Sequence, residues 1–118
     1  MSEFKAIQIT VDEKMILAVL QCEKLDEDHI QDMQSKVTAA AGQSPHLPVV
    51  LDMSGVSFVP SLSLGALVSL LNTCKKNKQR LILARLQTAV RHVLTTCRLD
   101  RLFEIYDTLD DLRARLTV

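Results

Sequence analysis

The sequence predicts an α/β fold: a small mixed, mostly parallel β-sheet with an N-terminal hairpin and about four helices. Three observations carry that expectation. Segments of period-two or continuous apolar character, suited to strands, alternate with segments whose apolar residues recur at helical spacing. The first two strand-like segments are separated only by Asp12-Glu13-Lys14, which fits a tight turn and hence a hairpin. The later ones are separated by helical segments, which implies right-handed crossovers and parallel pairing.

Each element has a local reason. Phe4–Thr10 alternates as a half-buried strand does, and Met15–Leu20 pairs with it. Asp26 reads as an N-cap with Glu27 and Asp28 in the first turn, and Ile30, Met33, Val37 and Ala40 or Ala41 form one apolar stripe. Gly42 is expected to close that helix, with Pro45 and Pro48 holding the connector extended. Leu47–Met53 suits a central strand buried on both faces. A helix then opens at Ser61, expected as its N-cap, and ends at Lys75-Lys76-Asn77-Lys78. Arg80–Ala84 is a fourth strand. Gln87 or Thr88 begins a third helix with Val90, Val93, Leu94 and Cys97 inward. Phe103–Tyr106 is a short strand, and Thr108-x-x-Asp111 resembles a capping box that starts a last helix carrying Leu109, Leu112 and Leu116.

The 118 residues suit one domain, residues 1–118, with a core that buries roughly two-thirds of the unfolded chain's surface. Net charge is +0, so no strong field draws the chain to nucleic acid or an anionic membrane. Aromatics are 3% with no Trp, against base-stacking surfaces. Met1-Ser2-Glu3-Phe4-Lys5 lacks the regions of a signal peptide, and no apolar run approaches the ~18 residues of a membrane helix. Cys22, Cys74 and Cys97 are widely spaced without a CxxC pair, and a cytoplasmic, reduced and mostly buried state is expected for them.

The segment Val49–Leu71, VVLDMSGVSFVPSLSLGALVSLL, resembles the signature of STAS domains of the bacterial anti-sigma-factor antagonist type. That signature is a strand ending V-x-L-D-L-S, a turn G-V-x-F-x-D-S-S-G-L-G, and a helix. Val50, Leu51, Asp52, Met53 and Ser54 match the strand end; Gly55, Val56, Phe58, Leu64 and Gly65 match the turn. Arg80–Ala84, Val90–Leu94, Leu99-Asp100-Arg101-Leu102-Phe103 and Asp107–Leu116 extend the likeness over nearly the whole chain. Three positions depart: Pro60 stands for Asp, Leu62 for a small residue and Ser63 for Gly. The resemblance implies a small mixed sheet with helices on one side. It also implies, in a gapless alignment, Ser61 as the phosphoacceptor of a partner kinase, with Ser63 as second candidate.

Local chemistry supports part of that. A helix N-terminus favours an anion, through its free N–H groups and the macrodipole. Leu62 and Ala66, with Ser69 or Leu70, lie on a different side of the Ser61 helix from Leu64, Leu67, Val68 and Leu71. One stripe must face the sheet; the other either is buried by neighbouring helices or stays open for a partner. Pro60, Ser61, Leu62, Ser63 and Ala66 are therefore the expected partner contacts. Ser54 and Ser57 read as turn serines. Lys75, Lys76, Lys78 and Arg80 complement the helix dipole, and a phosphate or acidic-partner contact is their sharper reading.

No histidine pair has metal-ligand spacing, and no Gly-rich phosphate loop, G-x-S-x-G elbow or Cys/His couple is present, so neither enzyme activity nor a cofactor is expected. The leading expectation is a cytoplasmic bacterial anti-sigma-factor antagonist that regulates transcription indirectly by partner switching. It would bind an anti-sigma factor with serine-kinase activity when unphosphorylated and release it once Ser61 carries phosphate. No contact with nucleic acid or directly with a membrane is expected, and a weak homodimer is compatible. The alternative is an interaction or scaffold subunit of the same fold, in a sensory or transporter complex, without the phosphoswitch. A small-ligand or nucleotide binder is a third.

Overall fold

The computed structural model describes residues 6–116. The order is β1 (Ile7–Val11), β2 (Ile16–Leu20), α1 (Glu27–Gln43), β3 (Val49–Asp52), α2 (Ser61–Lys76), β4 (Leu81–Ala84), α3 (Thr88–Thr96), β5 (Glu104–Tyr106) and α4 (Leu109–Leu116). The expected first strand began at Phe4; Phe4 and Lys5 lie outside the described residues. Asp12 makes the hairpin turn, its carboxylate accepting the Lys14 and Met15 amides at 2.7 and 3.0 Å. Those two bonds hold its carboxyl below the usual carboxylate range, with Arg113 adding to the effect.

The five strands lie in sequence order, with β1 antiparallel to β2 and every later pair parallel. A parallel sheet that advances one strand at a time through right-handed crossovers must send each crossover helix to the same face. Ile30, Met33 and Val37 of α1, Leu64, Leu67 and Leu71 of α2, and Val90 and Leu94 of α3 accordingly share one core with Ile16, Leu20, Val49, Leu51, Leu81 and Leu83.

The fourth helix departs from the expected one-sided arrangement. Val50, Ile82 and Ala84 project from the opposite face and are fully buried there under Leu112, with Leu109 and Leu116 beside it. Strands that are apolar at every position cannot leave one face wet. Each fully buried Leu or Ile is worth about 1.5–3 kcal/mol relative to exposure, and α4 is the element left to cover that face. Arg113 at 3.2 Å from Asp12 ties α4 to the hairpin turn.

Smaller departures are local. Gly42 lies inside α1, which ends on Ser44. Cys97 is exposed at the end of α3, because that helix stops one residue earlier and only Val90 and Leu94 of its stripe are fully buried. Cys22 and Cys74 are buried, and burial pushes both thiols up, so they stay protonated.

Candidate functional site

The carboxyl end of β3 sets the site. Asp52 is almost wholly buried; one carboxylate oxygen accepts the Ser54 amide at 3.0 Å and the other faces the Arg85 guanidinium at 3.4 Å. Gln87 donates to the Ser54 carbonyl at 2.7 Å and the Val56 amide donates to Met53. Gly55 allows a close approach: a Cβ there would lie 3.1 Å from the Leu20 carbonyl oxygen, tighter than ordinary van der Waals contact. The turn is thereby fixed from both sides before the chain reaches Phe58.

Past that turn the β3–α2 connection runs beside the β2–α1 connection. Ser57 and Phe58 amides donate to the Glu23 carbonyl, the Leu25 amide donates to Phe58, and Lys24 and Phe58 form an isolated parallel bridge. The Ser57 hydroxyl adds a bond to Glu23, as expected of a turn serine. The start of α2 is consequently rigidly placed next to the start of α1.

The cap of α2 is Pro60, at φ −61° and ψ 156°, with no side-chain hydrogen bond. Ser61 is thus the first helical residue and not the N-cap. Proline's extended geometry takes the cap position, and its carbonyl accepts the Ser63 and Leu64 amides. No acidic residue stands in the first turn of α2, whereas α1 has Glu27 and Asp28 there. The Ser61 side chain is exposed and spent on no capping bond.

Ser63, the second candidate phosphoacceptor and an expected partner contact, is turned inward. It is 1% exposed, and its hydroxyl donates to the Leu25 carbonyl at 2.6 Å. A residue two positions after Ser61 turns roughly 200° round the helix, which aims it back at the β2–α1 connection. The stripes of α2 are also resolved. Leu64, Leu67, Leu70 and Leu71 are buried, Ala66 is half-buried beside Gln34 of α1, and Leu62 is 67% exposed.

The structure adds one residue, Phe58, to the expected contacts. Phe58 is 53% exposed, with the Lys24 ammonium 5.9 Å from its ring centroid. Phe58, Pro60, Ser61 and Leu62 are consecutive or nearly so, and this short rim of chain carries two exposed apolar side chains and one exposed hydroxyl. Irregular loops carry no periodicity from which the exposure of Phe58 could be read; only its pairing with residues 23–25 fixes it. The strands advance in one direction across the sheet, without the reversal of order that makes a topological switch point. Among the described residues no group of three or more His, Cys, Asp or Glu is placed to hold a metal, and no helix is long and apolar enough to cross a membrane.

Known structures share this fold. A putative anti-sigma factor antagonist from Thermotoga maritima superposes with a TM-score of 0.79 at 21% identity, over 95% of each chain. An anti-sigma-factor antagonist (STAS) domain protein from Planctomyces limnophilus gives 0.80 at 19% identity, over 93% of this chain and 96% of the other. The Bacillus cell fate determinant SpoIIAA in its phosphorylated form gives 0.71 at 19%, over 93% and 98%. At such identities the likeness is one of fold. The family model for the STAS domain matches residues 7–112, from β1 to the buried leucine of α4, and the chain therefore belongs to the STAS-domain family.

Proposed function

We propose that this protein is a binding module of the anti-sigma-factor antagonist type, docking an anti-sigma factor through the start of α2. The observation that supports the reading best is the rim itself. An exposed serine without a capping role sits between Phe58 and Leu62, two large apolar side chains that the fold leaves open. Exposed apolar groups held on a rigid turn suit a protein partner. Two of the similar known structures are described as anti-sigma factor antagonists, a third is of a phosphorylated form, and others belong to anion transporters.

In this reading Ser61 is the phosphoacceptor and the partner is a kinase-type anti-sigma factor. Phosphate there would add about −1.5 to −2 charges. Within the domain it meets a helix N-terminus without acidic neighbours, which stabilises it slightly. Against a partner seated on Leu62 and Phe58, the same charge loses its hydration without a counter-charge, at several kcal/mol. Intact-mass analysis of the protein from its native host, with and without phosphatase, tests this. A removable phosphate mapped to Ser61 supports it, and persistent absence across growth states sinks the switch.

A second reading has its own support. Pro60 offers the kinase neither a carboxylate nor a backbone donor, and Leu62 places a bulky apolar side chain beside the hydroxyl. A scaffold subunit that docks constitutively on the same rim needs neither group.

A further inference from the structure

At the opposite end of the sheet, α2 finishes in a cationic crest. Lys75 and Lys76 close the helix, Asn77 caps it, and Lys78 takes a left-handed backbone at φ 59°. The Lys78 amide donates to Lys75 at 3.0 Å and the Gln79 amide to Cys74 at 2.8 Å. The buried Gln79 side chain donates to the Ser44 and Leu47 carbonyls at 3.1 and 2.7 Å, pinning the crest to the α1–β3 connection. The crest is therefore fixed, not a loose tail of lysines.

Its charges are not neutralised in the same way. Arg80 is committed to Glu104 through two bonds of 2.9 and 2.6 Å, which raise its pKa. Lys75, Lys76 and Lys78 are exposed and have no carboxylate within ion-pair distance among the described residues. Beside them runs a groove of about 260 Å³ lined by Leu71, Leu81, Lys75, Lys78, the paired Arg80 and Glu104, and Leu102, which is 45% exposed. The net charge of the chain is zero, so this excess is local and lies at the end away from Ser61.

We infer that this groove is a second docking site, for an acidic segment of a partner protein carrying one large apolar side chain. Carboxylates on the segment meet Lys75 and Lys78, and the apolar side chain enters against Leu71, Leu81 and Leu102. The complementarity is of charge and of shape. A concave apolar slot takes a side chain, whereas a lipid surface is flat and would need more than three unpaired lysines for stable attachment. Nucleic acid is disfavoured by the absence of any aromatic ring lining the groove. Occupancy here leaves the Ser61 rim free, so one domain joins two partners.

The test is an amide NMR titration of the full chain with a blocked peptide, Glu-Glu-Leu-Glu-Glu, alongside its counterpart with alanine for leucine. The expected result is shifts confined to Leu71, Lys75, Lys78, Leu81 and Leu102, with affinity lowered about tenfold or more in the double variant Lys75→Glu, Lys78→Glu. Leu102→Ala should weaken binding of the leucine peptide and leave the alanine peptide unaffected. Equal binding of the two peptides would reduce the groove to unspecific charge and overturn the proposal. So would undiminished binding by the double variant, or no shift at about 1 mM peptide, the weak end of measurable affinity. Phosphatidylserine vesicles are run in parallel; binding to them through the same lysines, without peptide binding, would assign the surface to a membrane instead.

Discussion

Helix α1 begins at Asp26, whose carboxylate accepts the His29 amide at 3.1 Å, with Glu27 and Asp28 in the first turn. Helix α2 begins beside it at Pro60, with no side-chain cap and no acidic residue in its first turn. The two starts are tied together by the Ser63 hydroxyl on the Leu25 carbonyl and by the Leu25 amide on Phe58. One end therefore has its own polar groups satisfied and serves the fold. The other borrows its rigidity from the first and leaves its hydroxyl and two apolar side chains exposed.

The largest expected effect attacks the open start. In the phosphoswitch reading, phosphate on Ser61 should weaken binding to an anti-sigma factor by about a hundredfold or more, near 3 kcal/mol. Amide shifts should stay within residues 58–66, because the added charge needs no rearrangement to be accommodated. Shifts spread across the sheet would mean an allosteric switch and defeat the steric and electrostatic account.

Cutting the tie comes next. Ser63→Ala leaves the buried Leu25 carbonyl without its hydroxyl and should lower stability by about 1–3 kcal/mol in urea unfolding. Ser61→Ala, two residues away, should change it by less than about 0.5 kcal/mol, since Ser61 is exposed and caps nothing. Equal losses for the two alanines would break the comparison, and so would kinase labelling of the Ser61→Ala variant at wild-type level.

The capped start should respond to pH. The amide bond from His29, with the nearby His29 and Lys24 charges, holds the Asp26 carboxyl below the usual carboxylate range. A carboxyl lowered on folding contributes stability that is present above the unfolded pKa and lost as pH falls through the folded one. Asp26→Asn should therefore differ from wild type at neutral pH and converge on it in acid. A constant difference down to strongly acidic pH would show that the ionised carboxylate is not what caps α1.

The smallest effect tests whether α2 can be made like α1. Pro60 already has N-cap geometry, so Pro60→Asp needs no backbone change and should add a cap worth about 0.5–1 kcal/mol. In the phosphoswitch reading it also raises the rate of Ser61 phosphorylation. A rate that is unchanged or slower would show that a carboxylate has no role at this position.

Much of the fold can be read from local pattern. The order of elements follows from apolar periodicity, the Asp26 cap from one residue's chemistry, and the Thr108 cap on the Asp111 amide, at 3.0 Å, from a four-residue box. The all-apolar runs of β3 and β4 demanded burial on both faces, and both are buried. What periodicity could not supply was which partner each face meets. The far face of the sheet goes to α4, because the three crossover helices are all sent to the other side. Ser63 points inward and Leu62 outward because α1 and the β2–α1 connection lie against one side of α2 only, and spacing along one helix cannot say where its neighbours stand. Position and type of each element were fixed by interactions within a few residues. Exposure, and with it the shape of both candidate docking surfaces, was decided by contacts between segments distant in sequence, such as Ser63 with Leu25 and Gln79 with Leu47.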